Sequence, residues 1–190
     1  MPFRAKDLKL APNVLSASRI PLAVSFPFVA THPLAAIVVL CAAAATDVLD
    51  GWLARRLGQT TPTGALIDGV ADKIFGVTVV VTLVAYGLLA SPFAVLLATR
   101  ELVELPLALR VISSRRPGLA TIDRRANVLG KLASSLQLAS AIAVVAGAAF
   151  AVGLVVAAAA AGAVAAVSYW VREIRAHHAA LASHQSAYAP

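Results

Sequence analysis

The sequence predicts an all-α, polytopic membrane protein with six transmembrane helices, and its composition and hydrophobic pattern carry that prediction. Of its 190 residues, 60% are hydrophobic and only 13% are charged, with a mean hydropathy of +0.85. A soluble domain is about half apolar and about a quarter charged. The apolar residues also fall into six stretches, each close to the ~20 residues that a helix needs to cross the hydrocarbon core. A water-soluble globular protein is therefore excluded.

Proline- and glycine-containing breaks separate the six stretches, because these residues interrupt or end helices. The first break is His32-Pro33, the third is Ser91-Pro92 and the fourth is Arg116-Pro117-Gly118. The predicted helices, in chain order, span 14–31, 34–55, 64–90, 92–112, 126–148 and 150–171. We expect residues 1–176 to form one membrane domain and residues 177–190 to form a polar tail.

The basic residues predict the orientation in the membrane. There are 16 Lys and Arg against 9 Asp and Glu, for a net charge of +7. Eleven of the 16 occur at the N-terminus and after predicted helices 2, 4 and 6, whereas the other three connections contain none, so both termini should face the cytoplasm. Such an excess marks cytoplasmic loops and not nucleic-acid binding. We expect the N-terminus to be retained, with residues 2–10 as a short amphipathic helix on the membrane surface or a solvated tail.

Four aspartates stand out because they lie inside apolar helices within a 26-residue segment. Asp47 and Asp50 are three positions apart and Asp68 and Asp72 are four apart, so each pair shares one helix face. If the two helices run antiparallel across the short connection between them, the four carboxylates converge in a cavity open to the cytoplasm. A carboxylate at this depth costs several kcal/mol unless it is paired, solvated or bound to metal.

Divalent metal ions are the favoured partners of this cluster, since Mg²⁺ and Mn²⁺ prefer oxygen ligands and usually also engage a substrate phosphate. The alternative is that nearby cations satisfy the carboxylates, the candidates being Lys73, Arg55 and Arg56. The single cysteine, Cys41, excludes a disulfide framework and a cysteine metal cage.

The segment from Asp47 to Asp72 resembles the signature D-x2-D-G-x2-A-R-x8-G-x3-D-x3-D of the CDP-alcohol phosphatidyltransferases at every fixed position. The resemblance implies transfer of a phosphatidyl group from CDP-diacylglycerol to an alcohol, with release of CMP, by a membrane-bound homodimer in phospholipid biosynthesis. It implies two Mg²⁺ or Mn²⁺ ions held by Asp47, Asp50, Asp68 and Asp72, with Asp72 also the catalytic general base.

The resemblance also implies a nucleotide and pyrophosphate site. Small residues would let the substrate approach the backbone, and Arg55 would clamp a phosphate. For Gly51 and Gly64, the alternative role is ordinary helix packing. Upstream, Pro12-Asn13, Ser16 and Arg19 resemble the first-helix pattern of the same family. The alternative is that Arg19 only extends to the membrane interface. The residues assigned to this site are Asn13, Ser16, Gly51, Ala54, Arg55 and Gly64.

The acceptor is predicted from two further segments, which start at Arg100-Glu101 and Asn127 and resemble bacterial phosphatidylglycerophosphate synthases. The second reads Ala133-Ser134 where those enzymes have Lys-Thr. We expect glycerol 3-phosphate, with inositol phosphate, serine and phosphatidylglycerol as alternatives. The residues expected to bind the acceptor phosphate are Arg110, Arg124 and Lys131.

A cation transporter that uses the intramembrane aspartates is the alternative from a different class. A transporter should carry acidic residues at mid-membrane and beyond, whereas these four are predicted to lie near one face. The enzyme is therefore the favoured prediction.

Overall fold

The chain forms an all-helical bundle in the residues that the computed structural model describes, which are 7–8, 10–97 and 128–186. No β-strand occurs in these ranges, so the predicted all-α class is confirmed there. The helices are α1 (Ala11–Ala17), α2 (Arg19–Val29), α3 (Pro33–Arg56), α4 (Pro62–Ala85), α5 (91–97), α6 (Val128–Val145) and α7 (Ala151–Ser186).

The predicted first helix is divided in two at Ser18, between α1 and α2. Pro21 explains the division, because proline has no N–H to donate to the carbonyl of Ala17 and its ring clashes with that carbonyl. Proline is favourable at the start of a helix, where no such bond is made. Accordingly, Pro33 and Pro62 stand at the beginnings of α3 and α4.

The predicted third and fifth helices end earlier than expected, and a glycine follows each end. Gly87 has φ 68° two residues after the end of α4, and Gly147 has φ 65° two residues after the end of α6. Glycine adopts this left-handed conformation without the steric cost that a side chain imposes, which makes it a common helix terminator. In contrast, α7 continues to Ser186, well beyond the predicted end at residue 171.

The two short N-terminal helices pack against both halves of the aspartate segment. Both α1 and α2 contact α3 and α4, while α6 packs mainly against α7 and also contacts α3. Phe26 of α2 is fully buried and meets the ring of Phe75 of α4 edge-on, with centroids 6.5 Å apart. This packing places the junction between α1 and α2 beside the aspartates.

Much of the outer surface is apolar. Two of the described helical segments, Pro33–Arg56 and Ala151–Ser168, are long and apolar enough to cross a membrane. Large apolar side chains remain exposed on several helices, including Phe28 (78%), Leu34 (78%) and Val38 (59%). Single exposed apolar residues are ordinary, but contiguous apolar surface marks contact with lipid or with another protein.

Three predictions fall wholly or mainly outside the described residues. These are the N-terminal amphipathic helix at 2–10, most of the predicted fourth helix at 92–112, and the loop that follows it.

Candidate active site

The aspartates of α3 and α4 meet at one place, as their helical spacing predicted. Asp47, Asp50 and Asp68 each offer a carboxylate oxygen, and these three oxygens lie within 4.8 Å of one another. Among the described residues they form a group able to hold a metal ion. The predicted convergence of carboxylates from two helices is therefore confirmed for these three.

Arg19, the first residue of α2, connects all four aspartates. Its Nη2 donates to Asp50 Oδ2 and, at 2.6 Å, to Asp68 Oδ1. Its Nη1 donates to Asp72 Oδ1 and lies 3.3 Å from Asp47 Oδ1. One nitrogen thus serves the pair nearest the α3–α4 connection and the other serves the pair farther away, as expected of antiparallel helices.

The four carboxylates differ in their exposure. The side chain of Asp50 is only 6% exposed, and the hydroxyl of Ser16 donates to its Oδ2 at 2.6 Å. Asp47, Asp68 and Asp72 are 52%, 43% and 58% exposed. The cluster is therefore closed at Asp50 and open at the other three carboxylates, which ions or substrates can reach.

The position of Arg19 settles the alternatives for its side chain, since the guanidinium is only 1% exposed. It lies inside the bundle against the aspartates, not on the outer surface. In the part of the chain that the structure describes, none of the alternative cations, Lys73, Arg55 and Arg56, makes an ion pair with these aspartates. Arg56 instead stacks over Trp52 at 4.9 Å from the ring centroid. Sequence reasoning missed the ion pairs because Arg19 lies 31 to 53 positions from the aspartates to which it donates.

A smaller cavity of about 160 Å³ lies on one side of the cluster, between α1, α3 and the start of α4. Two carboxylates, Asp50 and Asp68, form part of its wall. All six residues assigned by resemblance to nucleotide and pyrophosphate also line it: Asn13, Ser16, Gly51, Ala54, Arg55 and Gly64.

Close packing at Gly64 explains why this position is glycine. The side-chain amide of the buried Asn13 lies against it, so that a Cβ at residue 64 would collide with Asn13 Oδ1 and lie 3.2 Å from Thr61 Oγ1. Asn13 is held there because its Nδ2 donates to the carbonyl of Asp7 at 2.6 Å. Thr61 caps α4 by accepting from the Gly64 N–H at 3.0 Å.

A larger cavity of about 310 Å³ lies on the other side of the cluster. Asp47, Asp72 and Arg19 form its polar end, and α6 contributes Ser134 and Gln137. Its remaining wall is mostly apolar and includes Leu40, Phe75, Val79, Leu97 and Leu138. The acidic cluster thus lies between two cavities.

The residues predicted to bind the acceptor are not among the described residues that line the two cavities. Arg110 and Arg124 lie outside the described residues, as does the Arg100-Glu101 segment. Lys131 lies in the first turn of α6. Farther along α6, Gln137 Nε2 donates to the carbonyl of Leu97 at 3.2 Å.

Residues 9–171 match the CDP-alcohol phosphatidyltransferase family, and the chain belongs to that family. Its curated relatives include several enzymes named CDP-diacylglycerol--glycerol-3-phosphate 3-phosphatidyltransferase. The one from Yersinia enterocolitica (serotype O:8 / biotype 1B) is 38% identical over 129 residues, or 64% of this chain and 65% of the relative. The Escherichia coli K12 enzyme is 35% identical over 56% of this chain and 57% of its own.

A third relative, from Pseudomonas fluorescens, is 45% identical over 38% of this chain and 40% of its own, and carries the same name. The chain thus spans just under two thirds of the length of the first of these relatives. No solved structure shows significant similarity to it.

We predict that Gly64→Ala destabilises the protein, because the added Cβ displaces the buried Asn13 amide. Overpacking of this kind costs about 1–3 kcal/mol, which should lower the Tm by roughly 3–10 °C for a chain of this size. Thermal unfolding of the purified protein measures the effect.

Gly69→Ala is the matched control on the same helix, since a Cβ there has no neighbour within 4 Å. It should leave the Tm unchanged or slightly higher, because alanine favours helix over glycine. Adding Asn13→Ala to Gly64→Ala should recover part of the loss, as expected of two contacting residues. Additive losses would contradict the proposed contact.

Proposed function

We propose that this protein transfers a phosphatidyl group from CDP-diacylglycerol to glycerol 3-phosphate and releases CMP, in phospholipid biosynthesis. The observation that carries the proposal is the acidic cluster between two cavities, one of them lined by all six predicted nucleotide residues. Membership of the CDP-alcohol phosphatidyltransferase family supports the reaction type. The names of the relatives support the donor and the acceptor.

The carboxylates fit a site for two Mg²⁺ or Mn²⁺ ions. Their donors are all oxygens, and three of those oxygens lie within 4.8 Å of one another. If all four aspartates are ionised, Arg19 balances only one of the four charges, so three negative charges remain for cations. Asp47, Asp50, Asp68 and Asp72 would hold the ions, which supply Lewis-acid stabilisation of the diphosphate and of the leaving CMP.

The smaller cavity is our proposed site for the nucleotide and the pyrophosphate. Arg55 at its rim is suited to bind a phosphate oxygen, because a guanidinium offers paired donors. Asn13 and Ser16 place polar groups on its inner wall. The backbone at Gly51 carries no side chain there, which leaves the surface shallow for the substrate.

Asp72 is our proposed general base. It lines the larger cavity, on the side of the cluster away from the nucleotide residues, and more than half of its side chain is exposed. An acceptor that enters this cavity would meet the carboxylate directly, and its hydroxyl would lose its proton to Asp72 as it attacks the lipid-side phosphorus. The bond from that phosphorus to the CMP oxygen breaks in the same substitution.

Glycerol 3-phosphate is the proposed acceptor, supported by the names of the relatives and by the Asn127–Gln137 segment of the sequence. Arg110, Arg124 and Lys131 are the proposed ligands of its phosphate. Inositol phosphate, serine and phosphatidylglycerol are the alternative acceptors for the same chemistry. They stay in the comparison because α6 carries Ala133-Ser134 where bacterial phosphatidylglycerophosphate synthases have Lys-Thr.

We place the protein in the cytoplasmic membrane with six membrane-spanning helices, and with both termini and the active site facing the cytoplasm. The apolar outer faces of the described helices support membrane insertion, and the distribution of Lys and Arg supports the orientation. A homodimer, which the family resemblance implies, belongs to the same proposal.

We predict that Asp68→Asn abolishes CMP release and weakens the binding of both Mn²⁺ and CDP-diacylglycerol, since it removes one of the clustered carboxylates. Electron paramagnetic resonance of Mn²⁺ reports binding independently of turnover. EDTA should stop the wild-type reaction, and renewed Mn²⁺ should restore it. Normal turnover in EDTA would contradict the metal site and would favour another role for the aspartates.

For Asp72→Asn we expect a different pattern, because loss of a general base slows the chemical step by about 10²-fold or more. Binding of CDP-diacylglycerol should change little, since the nucleotide residues line the opposite cavity. To check this, turnover and CDP-diacylglycerol affinity are measured for Asp72→Asn and Asp68→Asn under the same conditions. A loss of binding as large as that in Asp68→Asn would make Asp72 chiefly a metal ligand.

The acceptor is tested by supplying CDP-diacylglycerol with glycerol 3-phosphate, inositol phosphate, serine or phosphatidylglycerol separately and measuring CMP release. We expect glycerol 3-phosphate to be used best. Lys131→Ala should raise the KM for glycerol 3-phosphate roughly ten- to a hundredfold, the loss of one charge-assisted contact, without changing the KM for CDP-diacylglycerol.

The control for this experiment is Arg56→Gln, which removes a cation that stacks on Trp52 outside the proposed site. It should leave both KM values unchanged. Preference for an uncharged alcohol, or an unchanged KM in the Lys131 variant, would overturn the assignment of the acceptor site.

A further inference from the structure

We propose that Arg19 is a built-in counter-ion of the acidic cluster, and that a divalent metal must displace its guanidinium from some of the carboxylates in order to bind. Arg19 would then lower the apparent metal affinity and hold the cluster together whenever metal is withdrawn. The inference rests on the proposed metal site and adds to it a residue that competes for the same oxygens.

The contacts of Arg19 are the first support. Its two terminal nitrogens reach one oxygen from each of the four aspartates, two apiece. Three of those aspartates, Asp47, Asp50 and Asp68, also make up the group able to hold a metal ion. A metal ion and the guanidinium would therefore draw on the same carboxylates, and each weakens the other's hold on them.

The burial of Arg19 is the second support. The side chain is 1% exposed, although an isolated buried charge is strongly unfavourable. It is tolerable here because the partners carry the opposite charge. The dependence is mutual for Asp50, which is also buried and would lose its guanidinium partner if a neutral side chain replaced Arg19. Arg19 thus stabilises the cluster most when no other cation does so.

The third support is the remaining donor of the guanidinium. Arg19 Nε is buried and has no hydrogen-bond partner among the described residues, so the side chain is not fully satisfied where it lies. Arg19 also lines the larger cavity of about 310 Å³. The side chain therefore has adjoining space into which it can rotate when a metal takes over the carboxylates.

The test compares wild type, Arg19→Gln and the control Arg56→Gln, which removes the same charge from a site outside the cluster. Each purified protein is unfolded thermally in EDTA and in saturating Mn²⁺, and Mn²⁺ affinity is measured by electron paramagnetic resonance. In EDTA, we expect Arg19→Gln to lose about 10 °C in Tm, since the buried Asp50 carboxylate loses its guanidinium partner and the four clustered carboxylates lose their shared cation. Saturating Mn²⁺ should restore most of that loss, and the apparent Mn²⁺ affinity should rise about tenfold or more.

Arg56→Gln should change neither the affinity nor the gap between the two Tm values. If Arg19→Gln does not fold, Arg19→Lys carries the test, because one ammonium keeps the charge but cannot span four carboxylates as the planar guanidinium does. For the lysine variant we expect a smaller Tm loss in EDTA and a smaller rise in Mn²⁺ affinity.

A Tm loss of equal size in EDTA and in Mn²⁺, or an unchanged Mn²⁺ affinity, would give Arg19 a structural role only and overturn the inference. Failure of the proposed metal site is recognised separately, because the wild-type protein would then bind no Mn²⁺ at all.

Discussion

One buried guanidinium that is shared by four carboxylates organises this molecule. Arg19 enters the site from the start of α2, while the aspartates come from α3 and α4, so a single side chain links three helices. Burial of such a charge is favourable only when the partners are held close and in the right geometry. The positions of α2, α3 and α4 relative to one another are therefore tied to the geometry of the site.

The same arrangement separates the two halves of the proposed reaction. Asp50 and Asp68 face the smaller cavity, and Asp47 and Asp72 face the larger one. A nucleotide on one side and an acceptor on the other would meet across the carboxylates, where charge on the diphosphate has to be neutralised.

Much of the helical pattern in the described residues was predictable because the signals are local. Hydrophobic length, proline and glycine decide where a helix begins and ends, and α3 was predicted to within one residue at each end. The errors were also local: the division at Ser18 follows from Pro21, and the early ends of α4 and α6 precede Gly87 and Gly147. That α1 and α2 pack against both α3 and α4 was not predictable, because hydrophobic length does not specify the partner of a helix.

The sequence by itself determined the all-helical class, the family signature and the pairing of aspartates on helix faces, since spacing along a helix decides which side chains share a face. Only the tertiary structure decided that Arg19 enters the acidic cluster, that Asn13 packs against Gly64, and that the cluster lies between two cavities. These contacts join residues far apart in the chain. They depend on how α1 and α2 pack against α3 and α4, which helical periodicity does not encode.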